Sequence, residues 1–324
     1  MQASILGTGS YVPERVLTNQ DLEKMVETSD EWIVTRTGMK ERRIAHENEF
    51  SSTMGALAAK SALERAQLSA DTVDCILVAT ATPDYLSLST ACLIQEAIGA
   101  KNAAAMDIQA ACSGFLYGLA TAKAFIESGM YKNILVIASE KLSSITNYKD
   151  RSTCVLFGDG AAACVVSTAP GLLLKKICLG AAGEHAPLGL VPAGGCRLPA
   201  SHISIDEGKH FIHMTGNEIF KHAVRKMEGA CKECIDAAGL QESDIRWLVP
   251  HQANMRIIEA LSKRFEIPPE RVYITIHKYG NTSASSIGIA LDELLRTHTV
   301  NPGENILLTA FGFGLTWGAA ILTR

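Results

Sequence analysis

With 324 residues, 47% of them hydrophobic and only 20% charged, the chain can bury one or two sizeable cores, because domains usually run to about 100–200 residues; its composition excludes a disordered chain. A formal charge of −4 and a pI near 6.2 give no general attraction to phosphate backbones or anionic lipid, so neither nucleic acid nor a membrane is expected as a partner. The nine cysteines, odd in number and scattered from Cys75 to Cys234, suit reduced thiols better than a disulfide framework; with no basic leader and no run of about 18 apolar residues, a cytoplasmic protein is expected.

Along the chain, Gly7-Thr8-Gly9 begins like a dinucleotide fingerprint but has Val12 where the third glycine belongs, so nicotinamide binding is not expected. Apolar, β-branched runs predict strands over Asp74–Ala79, Ala104–Ile108, Asn133–Ala138 and Ala161–Ser167. A helix is predicted over Ser113–Ser128, where Phe115, Leu119 and Ile126 share a face and Gly129 marks the stop. After Pro170-Gly171 the region from Gly183 to Gly208 has no periodicity and reads as surface loop. Helices follow over Gly216–Ala238, Asn254–Phe265 and Ala284–Leu295, and strands over Ile245–Val249, Arg271–Ile276, Asn305–Ala310 and Trp317–Leu322. This alternation predicts a layered α/β fold, and its repetition on either side of Pro170 predicts two similar halves, residues 1–170 and 171–324.

Four places carry chemistry. Cys112, in Ala110-Ala111-Cys112-Ser113-Gly114, stands where a predicted strand turns into a helix; as the cap of that helix its thiol would be lowered below about 8.5 by free N–H groups and the dipole, which makes a nucleophile. A free cysteine is more often a small buried hydrophobe, and it is the setting that argues for reactivity. The Cys231–Cys234 pair lies inside a helical pattern with no second pair, so it reads as core packing, and no metal is expected. His251, in Pro250-His251-Gln252-Ala253-Asn254, and Asn281, in Gly280-Asn281-Thr282-Ser283, both follow strand ends, where α/β sheets place ligands. Either alone would be an ordinary loop histidine or helix cap. Phe311-Gly312-Phe313-Gly314 is a glycine-punctuated turn, readable as a hairpin or as exposed N–H groups for an oxyanion.

Together with Gly158-Asp159-Gly160-Ala161 and with Asp30-Glu31-Trp32-Ile33 followed by Arg36-Thr37-Gly38, these motifs, in this order over nearly the whole chain, resemble the β-ketoacyl-[acyl-carrier-protein] synthase III family of type II fatty acid synthesis. The resemblance implies a thiolase-like fold, two duplicated α/β halves in a five-layered α-β-α-β-α core, assembled as a homodimer. It implies a Cys112, His251 and Asn281 triad, with Cys112 carrying the acyl group and the other two donating hydrogen bonds to the enolate that forms as malonyl loses CO2; the N–H groups of Cys112 and Phe313 would hold the acyl oxygen. Coenzyme A, a substrate and not a resident cofactor, would meet Trp32, Arg36, Arg151, Asn217, Phe220 and Asn254. An acidic carrier protein would dock on Gln252, Ala253, Asn254, Met255 and Arg256, and on Lys263 and Arg264, whose i+7 and i+8 spacing keeps them on the same helical face as Arg256. Ser87 and Phe157 would shape the acyl pocket. Well-known family members carry a Phe at position 87, so a wider pocket and branched or longer primers become possible beside acetyl. Gly312-Phe313-Gly314 likewise replaces a glycine run seen in some relatives.

Other readings are weaker. A thiolase needs a second catalytic cysteine near the C-terminus, and none follows Cys234; a hydroxymethylglutaryl synthase needs a catalytic glutamate; a papain-like hydrolase has a different cysteine signature. A relative that condenses or transfers acyl groups in secondary metabolism, and a non-enzymatic acyl-binding scaffold with an unreactive Cys112, remain as alternatives.

Overall fold

The computed structural model describes residues 1–324. The strands of its main sheet are β1 (Ser4–Tyr11), β2 (Cys75–Ala79), β3 (Ala104–Ile108), β4 (Asn133–Glu140), β5 (Gly160–Ser167), β6 (Leu172–Ala181), β7 (Ile245–Pro250), β8 (Asn305–Gly312) and β9 (Thr316–Thr323). The helices that matter here are α1 (Asp30–Thr37), α2 (Ser51–Ala66), α3 (Thr90–Ile98), α4 (Gly114–Glu127), α5 (Gly216–Ala237), α6 (Met255–Arg264) and α7 (Ser285–Thr297). No helix is long and apolar enough to cross a membrane.

The nine strands are hydrogen-bonded in the order β7-β8-β9-β6-β1-β5-β4-β2-β3. Two units meet at β1 and β6, which pair only through Ser4 with Leu173 and Ile5 with Leu172. Within the first unit the order from the outer edge is third, second, fourth, fifth, first strand, with β2 parallel to both β3 and β4. The second unit follows the same order: Val272 makes a single parallel bridge to Leu248 in the place of a third strand, beside β7, β8, β9 and β6. Arg271–Ile276, expected as a full strand, is therefore reduced to one bridge, because Pro268 and Pro269 lead into a turn on one side and Ile276 starts a short helix on the other.

Helices α4 and α7 lie between the two units, and both are apolar on more than one side, as a helix enclosed by two sheets must be. Phe115, Leu119, Ile287 and Leu291 share one core with Leu77 and Val136 of the first unit and Val249 and Ile306 of the second. Helix α2 covers the outer face of the first unit through Ala58, Ala59 and Ala62, and α5 and α6 cover the second through Met227, Ile257 and Leu261. Five layers result.

Strand β1 and helix α2 were absent from the predicted elements, and the reason is physical. A Cβ at Gly7 would stand 2.5 Å from Ala66 N, and one at Gly9 2.4 Å from Ala58 O. The glycines let the helix lie directly on the strand, and they erase the alternation that would have announced it.

Candidate functional site

A cavity of about 770 Å³ opens at the ends of these strands, and Cys112, His251 and Asn281 all line it. Cys112 follows β3 in a short 3-10 turn, Ala111–Ser113, entered through Ala111 at φ 45°. A left-handed non-glycine residue is costly and marks a turn held by its surroundings. The residue at the cap of α4 is Ser113, and Cys112 stands one position before it. The expected lowering of the thiol is not found. Burial pushes Cys112 up to about 12, the Glu140 charge adds to this, and the Ser283 hydroxyl works against it. Withdrawal from water works against the helix end at this position.

His251 is 2% exposed, and burial holds its imidazole down at about 3, so it is neutral at any ordinary pH. Its Nδ1 lies 2.7 Å from Ser286 Oγ, and its Nε2 has no partner within the chain. Asn281 is fixed by its backbone, which bonds Leu156 O at 2.9 Å and accepts from Gly158 N at 3.0 Å. Its side-chain Oδ1 accepts the Ser283 N–H at 2.9 Å, which identifies the oxygen and leaves the Nδ2 protons free. Two neutral groups thus face one cavity, Asn281 with amide protons to spare and His251 with a free ring nitrogen, an arrangement suited to holding a developing negative oxygen.

The loop from Phe313 to Leu315, between β8 and β9, closes over the nucleophile. A Cβ at Gly312 would stand 2.7 Å from Cys112 N and 3.1 Å from Ser113 N, so only glycine allows this approach. The Phe313 N–H donates to no backbone acceptor. Phe157 lies in the apolar wall with Leu142, Val191 and Met214. The segment from Gly183 to Gly208 is thus more than surface loop: Gly189 and Leu190 pair with Met214 and His213 and join that wall.

At the mouth, Trp32, Arg36, Asn217, Phe220 and Asn254 line the same cavity. Arg151 is not part of the lining, yet its guanidinium lies 4.9 Å from the Trp32 ring centroid and that of Arg36 lies 5.9 Å away. An indole with two guanidinium groups close by suits a flat base with phosphates attached. Asn254 caps α6 through Arg256 N at 3.0 Å and donates to Arg36 O at 3.1 Å, tying α1 to α6.

Residues 106–183 match the model for 3-oxoacyl-[acyl-carrier-protein (ACP)] synthase III, and residues 235–324 match the model for its C-terminal part. The beta-ketoacyl-[acyl-carrier-protein] synthase III of Chlamydia muridarum is 61% identical over 326 residues, covering 100% of both chains. The chain belongs to the synthase III family. Among solved structures, the 3-oxoacyl-[acyl-carrier-protein] synthase III of Aquifex aeolicus superposes with a TM-score of 0.91 at 49% identity, over 99% of this chain and 100% of that one. A priming β-ketosynthase from a polyketide biosynthetic pathway superposes at 0.90 with 33% identity, over 99% of this chain and 96% of that one. As a synthase III the protein is an acyltransferase of the condensing type.

Several synthase III motifs have structural causes visible here. In Gly158-Asp159-Gly160 the buried Asp159 carboxylate accepts from Ala45 N, Ser143 N and Ser143 Oγ, and a Cβ at Gly158 would meet Tyr279 O at 2.3 Å. That motif clamps the loops around the cavity without entering it. Gln252, expected at the docking surface, is completely buried. Its Nε2 donates to Pro250 O at 2.7 Å and Tyr273 O at 3.3 Å, and its Oε1 accepts from Thr275 N at 2.9 Å and Ile276 N at 3.0 Å. It braces the His251 loop against the segment leading to Asn281 and has nothing left for a partner. Ala253 is half-buried in the cavity wall, and Met255 packs on Gly38, while Arg256 and Lys263 are exposed. Arg264 is exposed too, but Glu228 at 2.6 Å and Glu242 at 3.3 Å neutralise it. Ser87 lies outside this chain's cavity, on an exposed loop with Tyr85 and Leu86.

Sequence reasoning missed Glu140 and Ser286. Glu140 is a fully buried carboxyl near the thiol, fed by Ala81 N and Thr82 Oγ1, with its other oxygen unpartnered. It reads as the ordinary end of an apolar strand. Ser286 sits among the serines of Ser283-Ala284-Ser285-Ser286, and only a buried polar residue on the first turn of an enclosed helix could have singled it out.

Proposed function

We propose that this synthase III starts fatty acid synthesis by joining an acyl-coenzyme A primer to malonyl-acyl-carrier protein. The observation that carries the reading is the meeting of Cys112 with two neutral donors, His251 and Asn281, in one cavity with an aromatic-cationic mouth. Cys112 Sγ attacks the thioester carbonyl, the Cys112 and Phe313 N–H groups hold the oxygen, and the cysteine proton leaves with coenzyme A as its free thiol. Malonyl-carrier protein then enters. Loss of CO2 generates the carbon nucleophile without a base, His251 Nε2–H and Asn281 Nδ2–H hold the enolate oxygen, and attack on acyl-Cys112 gives 3-oxoacyl-carrier protein and the Cys112 thiolate, which takes a proton from water to restore the thiol. Preorganised donors of this sort each contribute about 3–4 kcal/mol to such steps.

Trp32, Arg36 and Arg151 take the nucleotide end of coenzyme A, and Asn217, Phe220 and Asn254 guide its arm. The carrier protein docks beside Arg256, with Lys263 as a secondary contact. No resident cofactor or metal takes part. The protein works in the cytoplasm as a homodimer of chains whose halves divide near residue 170. The exposed edge strand β3 and the loop carrying Tyr85, Leu86 and Ser87 form the dimer contact; Ser87 then reaches the partner's acyl pocket and, with Phe157, sets primer size.

Intact-protein mass spectrometry after mixing with acetyl-coenzyme A tests this reading. One acetyl group on the protein, absent in Cys112→Ser and discharged by malonyl-carrier protein as acetoacetyl-carrier protein, is the expected result. An adduct only with longer or branched primers keeps the mechanism and changes the substrate. No adduct with any acyl-coenzyme A refutes it.

A further inference from the structure

The role proposed for His251 demands a proton on Nε2, and the burial that keeps the ring neutral does not choose between its two tautomers. That choice belongs to whatever meets Nδ1. The only group there is the Ser286 hydroxyl, at 2.7 Å, on a residue 2% exposed. The same oxygen lies 3.3 Å from the Gln252 N–H. A backbone N–H can only donate, so Ser286 Oγ accepts from Gln252. Its single proton is then free to be given away, and the structure offers it no acceptor other than His251 Nδ1. The neighbouring serine behaves differently, since Ser285 Oγ donates to Thr282 O at 2.8 Å within its own turn.

The geometry points to Ser286 as the positioning residue that holds His251 as the Nε2–H tautomer, its oxygen fixed by Gln252 N–H and its proton given to Nδ1. This rests on the reading of His251 as a donor to the enolate. Ser286 touches no substrate, because it stands behind the ring. It occupies the first turn of α7, the same enclosed helix that follows Asn281, so one rigid element orients both donors. The hydroxyl also serves a second end: without it the Gln252 N–H beside the brace loses its partner.

The consequence separates the two half-reactions. Acyl transfer to Cys112 uses the thiol and backbone N–H groups and does not need the ring, whereas condensation does. In Ser286→Ala the acyl-enzyme should form within about two-fold of the normal rate, and condensation should fall about 10- to 100-fold, the range found when a group orienting an imidazole is removed. Ser286→Thr, which keeps the hydroxyl, should recover most of the loss. Nitrogen NMR of histidine-labelled unmodified protein provides a readout independent of any variant, with His251 expected protonated at Nε2 alone. A signal showing the proton on Nδ1, or Ser286→Ala condensing at the normal rate while His251→Ala does not, overturns the inference and leaves the site reading standing. Unimpaired condensation by His251→Ala would instead overturn the reading on which it rests.

Discussion

Replacing Gln252 by alanine separates two roles that the same residue type could play. On a docking surface, its loss would weaken carrier-protein binding and leave the fold alone. As a buried brace, its loss removes four hydrogen bonds, to Pro250 O, Tyr273 O, Thr275 N and Ile276 N. Each such bond contributes about 1 kcal/mol net, and buried N–H and C=O groups left unpaired cost more, so the variant should lose roughly 3–5 kcal/mol. For a chain of this size that corresponds to a Tm lower by roughly 4–7 °C. Three of the orphaned groups lie on the segment leading to Asn281 and one on the loop carrying His251, so condensation should slow together with the melting point. Thermal unfolding with a fluorescent dye and the KM for malonyl-carrier protein, measured on one preparation, decide the matter. An unchanged Tm with a KM raised several-fold would refute the brace.

Gly312→Ala should cut acylation of Cys112 by about 10- to 100-fold, because a Cβ 2.7 Å from Cys112 N must push the nucleophile turn aside and sub-ångström to 1 Å misplacements cost that much; stopped-flow mass analysis of adduct formation reads it. The depressed His251 carries a stability consequence whose sign is definite: the unfolded ring, near 6.5, takes a proton that the folded ring, near 3, refuses. Its contribution is present in full above about 6.5 and is lost progressively as the pH falls towards about 3, so the acid side of a Tm-against-pH curve should flatten in His251→Ala. Arg256→Ala should raise the carrier-protein KM about two- to five-fold at low salt, more than Arg264→Ala, whose guanidinium Glu228 and Glu242 already engage; steady-state kinetics at two ionic strengths compare them.

Cys112 and Asn281 were legible from their motifs, since one leaves the half-exposed edge strand β3 and the other a short helix, whereas His251 was legible because it follows the strongly apolar strand β7, and a strand exit is where a sheet offers a side chain to solvent and ligand. The layering was legible for the same reason. What escaped was set by contacts distant in sequence. Strand β1 looked like a glycine motif because its packing partner, α2, is forty residues or more away. Gln252 resembled its exposed neighbours because nothing local reveals that the Thr275 segment will close over it. The thiol was expected to be acidic from a helix end that is local, and burial, which is not local, pushes it the other way.

The repeated strand order implies a division of labour. In the first unit the turn after the third strand presents a sulfur atom; in the second, the loop after the residue standing in for that strand presents an amide. The exit from the second strand gives His251 in one copy, and in the other Thr80 and Thr82, folded inward around Glu140. Equivalent loop pairs thus carry a sulfur on one side and an imidazole and an amide on the other. A single copy set against an identical twin would offer two thiols or two amides; the unlikeness of the copies is what gives the chamber a polarity.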